Sequence, residues 1–157
     1  MTAILGPRQS GKTTLARLIA DGENSAFFDL ESPRDLQRLQ NPELMLGSLS
    51  GVVVLDEIQL RPDLYPILRV LADRRGEDTR FLILGSASPN LREGASESLA
   101  GRIEFVDLTG FRMDEVGTDE INRLWVRGGF PRSFLAESDA DSAAWREGFV
   151  RTFLQRD

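Results

Sequence analysis

Leu5-Gly6-Pro7-Arg8-Gln9-Ser10-Gly11-Lys12-Thr13-Thr14-Leu15 is the stretch that decides the fold. It follows an apolar run, Thr2 to Leu5, and leads into a helical pattern, Lys12 to Ala20. Glycines at the two ends of such a loop let backbone N–H groups turn inward around phosphate oxygens. The helix that follows adds the positive end of its dipole. Lys12 can reach the outer phosphates of a nucleoside triphosphate, and the Thr13 hydroxyl can ligate magnesium. The expected nucleotide-binding residues are Gly6, Pro7, Arg8, Gln9, Ser10, Gly11, Lys12, Thr13 and Thr14. Eighteen arginines accompany one lysine, and that lysine is Lys12. It stands where a compact ammonium fits and a planar guanidinium does not.

Outward from the loop, four more runs read as buried strands: Ala26 to Asp29, Val52 to Asp56, Phe81 to Ser86 and Ile103 to Leu108. Their continuous apolarity, without alternation, predicts a parallel sheet covered on both faces. Helical patterns lie between them. Pro62 to Asp73 opens with proline and sets Leu64, Ile67, Leu68 and Leu71 on one face. Strand and helix in alternation predict a doubly wound α/β fold of the P-loop type.

Ligands of an open parallel sheet sit beyond the carboxyl ends of its strands. Val52-Val53-Val54-Leu55-Asp56-Glu57 therefore delivers Asp56 to the edge occupied by the glycine loop, where it can hold magnesium. Glu57 is then positioned to polarise an attacking water. The alternative for this pair is two acids that merely end a strand. At the end of the run Phe81 to Leu84, Ser86, chosen over Ser88, can sense the γ-phosphate; an ordinary serine turn is the plainer reading. Leu99-Ala100-Gly101-Arg102 precedes the last strand, and a guanidinium at the γ-phosphate can raise turnover by ~10³–10⁵. Arg102 is the candidate, with a surface ion pair as its alternative. Gly128-Gly129-Phe130-Pro131 reads, on spacing alone, as a helix break.

After Leu108 the strands stop. Phe111 to Arg127 and Pro131 to Asp157 are expected to be helices, the second capped by Ser138 or Asp139, with Trp145, Phe149 and Phe153 recurring every four residues. The expected organisation is a core over 1–108 and a helical lid over 109–157. The short lead before Gly6 and the helical pattern that runs to Asp157 suggest a piece of a longer protein, with a compact small protein of frayed ends as the alternative.

Composition narrows the chemistry. The chain has 157 residues, 41% of them hydrophobic, which suits a folded domain and argues against disorder. Cysteine and histidine are both absent. Disulfides and thiolate metal sites are excluded, and general-base work falls to carboxylates. A net charge of −6 without a basic run gives no support to nonspecific nucleic-acid binding. No apolar stretch approaches the length that spans a bilayer, so a cytoplasmic location is the expectation.

Six segments resemble a group of bacterial and archaeal AAA-type ATPases. They are Leu5 to Leu15, Phe28-Asp-Leu-Glu31, Leu55-Asp-Glu-Ile-Gln59, Leu84-Gly-Ser-Ala-Ser-Pro89, Glu97-Ser-Leu-Ala-Gly-Arg102 and Arg127-Gly-Gly-Phe-Pro-Arg-Ser133. The resemblance implies an AAA-like five-stranded core of order 5-1-4-3-2 with a helical lid. It implies ATP and Mg2+ as ligands, Asp56 and Glu57 as the metal and water residues, and Ser86 as sensor. It also brings Pro131 near the nucleotide base. Members of that group usually carry a longer N-terminal lead and a C-terminal domain. The expected activity is ATP hydrolysis that drives an output domain not present in this sequence. A slow nucleotide-dependent switch is the alternative, and a small-molecule kinase a third reading that the Asp56-Glu57 pair disfavours. A homo-oligomer and a protein or nucleic-acid client are open expectations.

Overall fold

Five strands form one parallel sheet in the order β2-β3-β4-β1-β5: β1 (Thr2–Leu5), β2 (Ser25–Asp29), β3 (Gly51–Asp56), β4 (Thr79–Gly85) and β5 (Glu104–Asp107). Read from the other edge, this is the expected 5-1-4-3-2. The computed structural model describes residues 1–74, 78–87 and 89–154. Arg75, Ser88 and the last three residues of the expected C-terminal helix fall outside them.

Each strand sends alternate side chains to opposite faces, because the side-chain period of a strand is two. Ala3, Leu5, Val53, Leu55, Phe81 and Ile83 enter one core cluster. Four helices contribute to that side or lead into residues that do: α2 (Pro33–Arg38), α3 (Pro42–Gly47), α4 (Leu64–Ala72) and α5 (Pro89–Ser98). Ile4, Val52, Val54, Leu82 and Leu84 form the opposite cluster with Ala16 of the helix Lys12–Ala20, here α1. Fully buried Leu68 of α4 measures the strength of the larger core. Its truncation to alanine is worth about 2–5 kcal/mol.

α4 begins at Leu64, so Pro62 lies before its first turn. Tyr65 joins Leu64, Leu68 and Leu71 as buried, while Ile67 is only partly so. α2 and α3 each start with proline at the first turn, and the Asn41 side chain caps α3 by accepting from Leu44 N.

The chain divides into two compact units, residues 1–7 with 12–108 and residues 8–11 with 109–157. In the second, each of the two long helices expected from the sequence is broken. Phe111 to Arg127 splits into α6 (Met113–Val116), a 3-10 turn (Thr118–Glu120) and α7 (Ile121–Arg127) around Gly117, whose φ is +83°. The later segment divides into α8 (Pro131–Phe134), α9 (Asp139–Phe149) and a π turn (Val150–Leu154). Ser138 caps α9 by accepting from Asp141 N. The Trp145 and Phe149 rings, and those of Phe149 and Phe153, stack at 5.1 Å.

A buried cation braces this unit. Arg127 Nε donates to Asp139 at 2.7 Å, and Nη1 donates to the carbonyls of Phe134 and Ala136. Phe111 N donates to Gly129 O at 2.6 Å. A β-carbon on Gly129 would lie 2.4 Å from Phe111 O, so the second glycine of the pair is demanded by crossing backbones.

Candidate nucleotide-binding site

The loop between β1 and α1 carries two residues with positive φ, Gln9 at 66° and Gly11 at 96°. Such reversals turn successive amides toward one concavity, which is the geometry of an anion nest. Within the second unit, the Pro131 ring lies beside Gly11: a β-carbon there would meet Pro131 Cγ at 3.7 Å. Ser10 is buried, and its hydroxyl has no hydrogen-bond partner among the described residues. Pro7, Arg8 and Gln9 are exposed, as is Thr14 in the first turn of α1.

In the first unit, Lys12 is 94% buried and donates from Nζ to the carbonyls of Gly6 at 3.0 Å and Pro7 at 2.9 Å. Gly6 N donates to Gly85 O at 3.3 Å, tying the start of the loop to the end of β4. Thr13 Oγ1 donates to Asp56 Oδ2 at 2.8 Å, joining the first turn of α1 to the end of β3 across 43 residues of sequence. Asp56 is buried, and its Oδ1 has no partner among the described residues. Burial pushes the Asp56 carboxyl above the usual carboxylate range. The Thr13 hydroxyl pulls it back in part, and the charges of Glu57 and Asp29 raise it again.

Thr13 and Asp56 suit magnesium on this chemistry. They are hard oxygen donors, one a buried carboxylate oxygen that lacks a partner, and Mg2+ takes one or two protein oxygens together with phosphate and water. No group of three or more acidic, histidine or cysteine residues among the described residues forms an all-protein metal cage. The orphan hydroxyl of Ser10 and the nest at Gln9 to Gly11 suit phosphate oxygens in the same way.

Glu57 follows β3 with φ 60° and ψ 46°, a left-handed backbone that turns the chain sharply at the sheet edge. The amide Nε2 of Gln59 donates to Glu57 Oε2. Sequence reasoning gives Gln59 no role. Its signal there is that it closes Leu55 to Gln59, one of the segments that carry the family resemblance. Ser86 directly follows β4 and is half-buried.

Arg102 departs from expectation. It precedes β5, whose residues pair with β1 in parallel from Thr2↔Glu104 to Leu5↔Asp107. It therefore lies at the amino edge of the sheet, about 13 Å from the carboxyl edge at ~3.3 Å per strand residue. There its Nε and Nη2 donate to Asp73 at 2.7 and 2.8 Å. These bonds hold the Asp73 carboxyl below its usual range. That placement sets Arg102 at the edge opposite the end of β1, in the surface ion pair that was the alternative reading.

Residues 1–117 match the sequence profile of the AAA domain family. The chain belongs to that family. As an AAA domain it is a nucleotide-binding P-loop domain of the ATPase kind. Uncharacterized protein Rv2008c of Mycobacterium tuberculosis (strain H37Rv) is 55% identical over 154 residues, which are 98% of this chain and 35% of that protein. Uncharacterized protein Mb2031c of Mycobacterium bovis matches with the same identity and coverage. The AAA domain described here thus spans about a third of the length of these relatives. Among solved structures, the FIGL-1 AAA domain in complex with ADP superposes with a TM-score of 0.55 at 15% identity. It covers 97% of this chain and 62% of that one, and the likeness concerns the fold.

Proposed function

We propose that this AAA domain binds ATP with Mg2+ and hydrolyses it. The observations that carry the reading are the Thr13 hydroxyl on the buried, half-satisfied Asp56 carboxylate and the buried Lys12 ammonium on the carbonyls of Gly6 and Pro7. Lys12 has three donors and reaches the outer phosphates by exchanging one or both carbonyl partners. Mg2+, when bound, would neutralise phosphate charge. Thr13 and Asp56 are the residues that hold it. Glu57 accepts a hydrogen bond from the attacking water. As the water oxygen bonds to the γ-phosphorus and the bridging oxygen leaves with ADP, the water proton passes to that carboxylate. Ser86 senses the γ-phosphate from the end of β4, and Pro131 lines the approach to the base. We assign residues 109–157 to a lid, and the output of the cycle to parts of the longer protein that relatives of this length suggest.

Phosphate release by the wild type and by Glu57→Gln tests the proposal. Steady turnover in the wild type, lost in the variant with ATP binding retained, is the expected result. Tight binding with negligible turnover in both proteins would make the chain a switch instead. Absence of any heat on titration with Mg-ATP would end both readings.

A further inference from the structure

Glu57 is a flexible carboxylate, and a water-polarising group is effective only when held in place. Three features of its surroundings hold it. The turn that follows is closed by Leu60 N to Glu57 O at 3.0 Å and Arg61 N to Ile58 O at 2.9 Å, and Ile58 is fully buried in the larger core cluster. Gln59 projects from this anchored turn and donates its amide to Glu57 Oε2. The other end of the same amide, Oε1, is buried with no hydrogen-bond partner among the described residues. It presses on Gly85 at the end of β4, where a β-carbon would come within 2.9 Å of it.

The orientation of the amide follows from chemistry. A carboxylate has no proton to donate, so the group that faces Glu57 must be the NH2 and the one that faces Gly85 the carbonyl. The arrangement is poor for stability, since a buried acceptor without a partner is destabilising. A residue present only to fill space here would be apolar. With Oε2 occupied by the amide, Oε1 of Glu57 is the oxygen left for water.

We infer that Gln59 is a positioning residue that fixes the Glu57 carboxylate for water activation and references it to the end of β4. The inference rests on the reading of Glu57 given above. Gly85 belongs to the same device, because its missing side chain leaves room for the amide.

The test uses this chain with Gln59→Leu, Gln59→Glu and Gly85→Ala, with Glu57→Gln alongside. Steady-state phosphate release gives kcat and KM, calorimetry gives ATP affinity, and thermal unfolding reports the fold. Gln59→Leu is expected to lower kcat ~10- to 100-fold, in line with the loss from small misplacements of catalytic groups. ATP affinity should stay within about twofold, and the melting temperature should hold or rise. Gln59→Glu, of the same shape without the donor, should lose kcat to a comparable degree. Gly85→Ala, whose methyl would first meet the ends of flexible side chains, Leu91 Cδ1 at 2.5 Å, Gln59 Oε1 at 2.9 Å and Ile58 Cγ2 at 3.4 Å, should fold and lose kcat in the same direction. Unchanged or increased kcat in both Gln59 variants, with Glu57→Gln inactive, overturns the role of Gln59 and leaves Glu57 standing. An active Glu57→Gln overturns the underlying reading. A parallel fall in ATP affinity and melting temperature would make Gln59 structural and refute the inference.

Discussion

Gly11→Ala isolates the contribution of the phosphate loop's backbone. At φ +96° an L-residue is disfavoured, and the added methyl would otherwise meet only Pro131 Cγ at an ordinary 3.7 Å. Steric overlap is thus negligible, and the penalty is the backbone's, about 1–2 kcal/mol. Where it appears depends on the loop. A loop that keeps its shape without ligand loses the amount from folding stability. A loop that relaxes recovers stability and loses affinity, by about 5- to 30-fold for the same energy. The two losses together should equal about 1–2 kcal/mol. Gly22→Ala is the control: its φ is +76° with nothing within 4 Å of the new methyl, and it lies beyond the far end of α1. It should lose comparable stability and no affinity. Denaturant unfolding and calorimetry with Mg-ATP give both quantities. A combined loss near zero for Gly11→Ala, or equal weakening of ATP binding by Gly22→Ala, would refute the reasoning.

Three further outcomes are expected. Asp56→Asn should be more stable than wild type at neutral pH in a chelator, while losing magnesium-dependent nucleotide binding. The folded-state pKa of Asp56 lies above 3.8, so its favourable contribution holds below that value and is lost as pH rises through the folded one. The stability difference should accordingly shrink in acid, as pH-resolved unfolding would reveal. Arg127→Ala should cost about 1–3 kcal/mol in denaturant unfolding, because two backbone acceptors lose their buried donor. Arg102→Ala should leave turnover per chain unchanged in a phosphate-release assay. A deficit that grows with protein concentration would instead place this guanidinium at the site of a second copy.

The sheet was readable because every strand that borders the site is buried on both faces, so β3 and β4 appear as unbroken apolar runs. The meeting of the loop and Asp56 was readable because parallel strands of one sheet end at the same edge, where Thr13 donates to Asp56. α2 and α3 were not, since six residues with a leading proline give too little periodicity to register. The C-terminal helices were overextended because Trp145, Phe149 and Phe153 keep a helical rhythm through a π turn, while Gly117 interrupts an otherwise continuous pattern. The edge that Arg102 occupies is a point the sequence does contain: a residue before a parallel strand belongs to the edge opposite the glycine loop. Gln59 closes one of the resembling segments, but the positioning inferred for it could not be read there, because it depends on two contacts, one local and one with β4.

The left-handed backbone at Glu57 has a practical corollary for protein engineering. Glycine would relieve that conformation, and the replacement should raise thermal tolerance by roughly 1 kcal/mol. A selection for heat resistance alone would therefore drift toward glycine at position 57 and, on the role proposed for Glu57, enrich well-folded, inert molecules. Libraries built on this scaffold need a turnover screen from the first round.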